Sequence, residues 1–67
     1  MNLKVGKKFF IDCGKGNPAT GTNEIRAIVD NEYAVLKFHS KKRNCPAYEI
    51  KHICFFEVFE KQIKWLK

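Results

Sequence analysis

The chain has 67 residues, which is enough for one small domain and too few for a second. Thirteen Lys and Arg against seven Asp and Glu leave a formal charge of +6, a balance that favours nucleic acid or acidic protein surfaces as partners. No apolar run approaches the ~20 residues of a membrane span, and MNLKVGKKFF at the N-terminus lacks the apolar stretch and cleavage site of a signal peptide.

A first strand is predicted at about Lys7 to Asp12, with Phe9 and Ile11 on one face and Phe10 and Asp12 on the other. CGKGNPATGT, Cys13 to Thr22, holds three of the four glycines and one of the two prolines and reads as a loop. EIRAIVDNEYAVLKF, Glu24 to Phe38, reads as a β-hairpin around Asp30-Asn31-Glu32, since Asp and Asn tolerate the positive φ of a tight turn. An even-length loop would put Ile25, Ala27 and Val29 on one face with Ala34, Leu36 and Phe38. Arg26, Ile28, Tyr33, Val35 and Lys37 would then occupy the other. A slip by one residue would bury Arg26 and Lys37, so the apolar pattern pins the register.

HSKKRNCP, His39 to Pro46, follows as a polar, basic loop. Ala47 to Ile50 is a short strand with Tyr48 and Ile50 on one face. Beyond it, Phe55, Phe59, Ile63 and Leu66 suit helical spacing, whereas FFEVF also alternates like a strand. A helical turn near His52 to Phe56, followed by a short helix or a final strand, is expected.

Six Phe, two Tyr and one Trp make an aromatic-rich chain. Each ring can remove roughly 150–250 Å² from water, but a domain this short buries only about 60% of its unfolded surface. Some ring area is therefore expected to stay exposed or to be covered by a partner.

Enzymatic chemistry is not expected. A Walker loop needs Lys after its second glycine and a helix to follow, whereas Gly21 precedes Thr22 and a strand. The backbone N–H groups of Gly14 to Gly16 could at most form an anion nest. Cys13, Cys45, Cys54, His39 and His52 lack metal-ligand spacing, so neither a metal nor a cofactor is expected, and the three thiols read as free in a cytoplasmic protein. The acids offer no adjacent pair for acid–base work.

In element order the chain resembles the SH3-like small β-barrels, the superfamily of KOW-, Tudor- and Sm-type modules. KVGKKFFI stands as first strand, EIRAIVDNEYAVLKF as hairpin and AYEIKHICFF as short strand plus turn. That resemblance implies a mainly β fold of about five short strands with a helical turn. The small, basic chain also resembles the accessory proteins of phages and prophages, which implies binding to host machinery.

Two binding surfaces stand out. Arg26, Tyr33 and Lys37 share a hairpin face; His39 lies at its end, and Lys41, Lys42 and Arg43 extend from it. Basic side chains beside an aromatic platform suit a phosphate backbone with unstacked bases. The alternative is an apolar surface near the C-terminus, Phe55, Phe59 and Trp65 with Phe56. It would suit a host protein, as in an anti-CRISPR-like inhibitor or adaptor, or a homodimer.

Overall fold

Short apolar runs separated by turn-forming residues give five strands in the computed structural model, which describes residues 3–66. They are β1 (Lys8–Ile11), β2 (Gly21–Val29), β3 (Tyr33–Ser40), β4 (Cys45–His52) and β5 (Ile63–Trp65). A five-residue helix, α1 (Cys54–Val58), and a 3-10 turn (Glu60–Gln62) connect β4 to β5. The fold is mainly β: one antiparallel sheet in the order β4-β3-β2-β1-β5. Among the described residues no ladder joins β4 to β5, so the sheet stays open and no strand pairs with the outer rim of either. The ambiguous C-terminal segment holds both elements in succession, the helical turn first and the strand last.

The β2–β3 hairpin departs from the predicted parity in an instructive way. Glu32 donates its N–H to the Val29 carbonyl at 3.0 Å. Asp30 and Asn31 between them have φ of 53° and 54°, the type I′ signature. The first ladder pair is Val29 with Tyr33, so three residues separate the strands and the parity flips. A β-bulge at Arg26, between the Ile25–Leu36 and Ala27–Val35 pairs, flips it back. Ile25, Ala34, Leu36 and Phe38 therefore keep the predicted inner face. Ile28 also turns inward, opposite Ala34, while Ala27 and Val29 turn outward. The prediction failed for those three residues because the odd loop and the bulge compensate only beyond Arg26.

Phe9, Ile11, Ile25, Ala34, Leu36 and Phe56 form the buried core, with Ile28, Phe55, Ile63 and Trp65 packed against it. The helix joins this core mainly through Phe56, with Phe55 packed beside it at 5.3 Å. Phe56 is fully buried and meets Phe9 edge-on at 5.5 Å and Trp65 in a stack at 5.9 Å. Phe9 and Trp65, register partners on β1 and β5, close the cluster at 5.2 Å. Such ring pairs contribute about 0.5–1.5 kcal/mol beyond their buried area. The N-cap residue Ile53 makes no side-chain cap bond, and one side chain serves the N-terminus of α1: His52 Nδ1 accepts the Cys54 N–H at 3.1 Å. At five residues it is far shorter than a helix stable alone, so the Phe56 anchor holds it.

Candidate functional site

Pairing sorts the remaining side chains onto the outer face. One row across it reads Lys8, Glu24, Lys37, Tyr48, and another Lys64, Phe10, Thr22. His39 and Pro46 form the last outer-face pair before the β3–β4 loop, one step inside Ser40 and Cys45. Farther along lie the rows Ala27, Val35, Ile50 and Val29, Tyr33, His52. The outer face is thus basic and aromatic toward the end bearing Lys41, Lys42 and Arg43, and apolar toward the other.

This arrangement divides the residues that the sequence suggested as one site. Lys37, His39, Lys41, Lys42 and Arg43 remain together, with the loop residues exposed. Tyr33 does not join them: it opens β3 while Ser40 closes it, a separation of about 23 Å at ~3.3 Å per residue. It stands instead against His52, with ring centroids 5.3 Å apart. Arg26 lies in the bulge and reaches Glu24 at 3.6 Å, a pair of an exposed guanidinium and a half-buried carboxylate that partly neutralises it and adds little stability.

The aromatic beside the basic cluster is Tyr48, paired with Lys37 and 60% exposed. Phe10 is a second, beside Lys64. Alternation in KKFFI and AYEI already set Phe10 apart from Phe9 and grouped Tyr48 with Ile50. Which face Tyr48 joins depends on the four-residue loop between Ser40 and Cys45, whose length the sequence left open.

Two clefts flank Phe38 and His39. One, about 240 Å³, runs between the long loop and the sheet and is lined by Gly21, Asn23, Phe38, His39, Lys41 and Glu49. The other, about 210 Å³, lies among Lys8, Glu24, Lys37, Phe38, His39 and Pro46. Each is smaller than a typical ligand pocket of ~300 Å³ or more, yet large enough for part of a flat ring. His39 is held in place by Nε2 to Asn44 Oδ1 at 3.2 Å, where φ of 54° at Asn44 turns the loop. The Ser40 hydroxyl accepts the Arg43 N–H at 3.2 Å, fixing the base of the basic loop.

The long glycine-containing loop is bonded to itself. Asp12 Oδ1 accepts the Gly14 N–H at 3.0 Å, and Thr20 Oγ1 accepts the Cys13 N–H at 2.8 Å. An anion at this nest would have to displace the Asp12 carboxylate, which opposes the phosphate-cradle reading.

The C-terminal rings are largely internal. Phe56 is fully buried, Phe55 and Trp65 pack on the core, and Phe59 alone of the four is exposed, at 38%. Cys13, Cys45 and Cys54 are unpaired thiols, the last two exposed. Among the described residues no three His, Cys, Asp or Glu side chains gather as a metal-ligand group, and no helix is long and apolar enough to cross a membrane. Compared with known proteins, the chain matches no family model, no curated protein and no solved structure.

Proposed function

We propose that this chain is a non-enzymatic nucleic-acid- or nucleoprotein-binding module of the cytoplasm. It acts through the end of the sheet where Lys37, His39, Lys41, Lys42 and Arg43 lie beside Tyr48. The observation that carries the reading is this juxtaposition: five basic or imidazole side chains and an exposed ring, on a chain of charge +6. Lysine and arginine neutralise phosphates and release their counterions, while Tyr48 offers a face for a base. Lys8 and Lys64 extend the basic field across β1 and β5. Tyr33 and Arg26 are left outside the principal contact.

Fluorescence anisotropy with single-stranded and duplex DNA and RNA tests the proposal. Binding should weaken with salt, each phosphate contact adding about 0.7–0.9 to the slope of log K against log salt. Tyr48→Ala should reduce single-strand affinity by roughly 1–3 kcal/mol, and Tyr33→Ala should leave it nearly unchanged. Absence of binding to all four near about 50 mM salt would contradict the proposal.

A second reading is favoured by a separate observation. Val29, Tyr33 and Ile50 on the apolar end of the outer face are 40%, 38% and 59% exposed. A phage-type inhibitor or adaptor would cover such a stripe with a host protein. A partner retained from nuclease-treated lysate and lost on Ile50→Lys supports that reading; loss of all bound material after nuclease supports the first.

A further inference from the structure

Eight residues of β4 form one rim of the sheet with a strand on one side only. The opposite rim, β5, has three. Short edges protect themselves, but a long edge with exposed apolar side chains invites another strand. Ile25 donates its N–H to the Lys7 carbonyl at 2.9 Å and accepts the Gly6 N–H at 2.7 Å. Both its polar groups thus face away from β3, which makes Ile25–Leu36 a non-hydrogen-bonded pair. Alternation then directs Leu36 to Glu49 and turns the main-chain groups of Tyr48, Ile50 and His52 outward along the free rim. Pro46 has the same parity, and an edge strand tolerates proline there because no N–H is needed.

The side chains on this rim are self-complementary. Read about Ile50, the run Tyr48-Glu49-Ile50-Lys51-His52 places an acid and a base at equal distances on either side. We propose that β4 pairs antiparallel with β4 of a second copy, on a two-fold axis through Ile50, giving a continuous ten-stranded sheet. Ile50 exchanges two main-chain hydrogen bonds with its counterpart. Glu49 lies directly opposite the partner's Lys51, and Lys51 opposite the partner's Glu49. Within one chain these two already attract, Nζ to Oε1 at 2.7 Å, so pairing creates a square of four charges that alternate in sign around it. A rim built only to repel copies of itself carries charges of one sign. Here the signs are opposite, and two-fold pairing converts them to attraction.

The net charge of +6 does not oppose this contact strongly. Asn44 stands six residues from Ile50 on the strand and its loop. The two Lys41–Arg43 clusters therefore end about 40 Å apart at ~3.3 Å per residue, several Debye lengths of about 8 Å.

Sedimentation velocity from micromolar to millimolar concentration should show a monomer–dimer equilibrium. Glu49→Lys and Lys51→Glu each set like charges opposite one another twice, and each should weaken the dimer by about tenfold or more. Mixing the two variants should restore association as a heterodimer, because each then meets opposite charge. In the unmodified chain, amide hydrogens of Tyr48, Ile50 and His52 should gain exchange protection as concentration rises. Those of Glu49 and Lys51 should be protected throughout. A wild-type chain that stays monomeric, as expected if the rim takes a strand of another protein, overturns the proposal. So does a mixture of folded variants that fails to associate. If either variant misfolds, the exchange pattern of the unmodified chain decides: protection that does not change with concentration overturns the proposal.

Discussion

Leu36 is 2% exposed and pairs with the fully buried Ile25. Leu36→Ala should therefore cost about 2–5 kcal/mol, a large part of the stability of so small a domain. Val35 is half-buried on the outer face, and Val35→Ala should cost far less; urea unfolding measures both. The same experiment tests the bulge. Ile28 packs on the core while Val29 is 40% exposed, so Ile28→Ala should destabilise by about 1–3 kcal/mol and Val29→Ala by less than half of that. The reverse order would restore the simple alternation that the sequence suggests. Identity was legible residue by residue wherever a strand alternates without interruption. Phe9 and Ile11 point inward, as KKFFI implies, and β3 keeps its parity throughout.

Between residues, the unread information lies in the connections. A three-residue turn and a one-residue bulge cancel in their effect on Ile25 and Leu36, which is why a simpler hairpin predicts that pair correctly. The bulge leaves no distinctive composition at Arg26, so it emerges only when both strands are paired. At the turn, φ of 53° at Asp30 excludes β-branched residues. Asp30→Val should cost about 1–2 kcal/mol by thermal or urea unfolding, whereas Glu32→Val, outside the positive-φ pair, should not. A helical turn was legible near His52 to Phe56, starting two residues ahead of α1, but its extent was not, because Cys54–Val58 is too short for periodicity to distinguish helix from strand. Burial of Phe56 between Phe9 and Trp65 settles it.

Across the whole molecule, the sheet separates two kinds of surface that the sequence runs together. The basic cluster was legible because Lys41, Lys42 and Arg43 are consecutive. Its aromatic neighbour was not, because Tyr33 is close in sequence to Lys37 but lies at the far end of β3, and Tyr48 arrives only through the β3–β4 register. The apolar surface likewise moves from the C-terminal rings, of which Phe56 builds the core, Phe55 and Trp65 pack on it and Phe59 stays exposed, to the outer face of β3 and β4. The most direct test compares two charge-matched variants in nucleic-acid binding. Lys41→Ala with Lys42→Ala removes two charges from the proposed site, and Lys4→Ala with Lys61→Ala removes two exposed charges from other segments. All four are surface changes expected to stay within about 0.5 kcal/mol of neutral in stability. The first pair should lower affinity and reduce the salt slope by about 1.4–1.8, and the second should change both far less. Equal losses from the two pairs would show that only net charge matters and would contradict a site at the β3–β4 end.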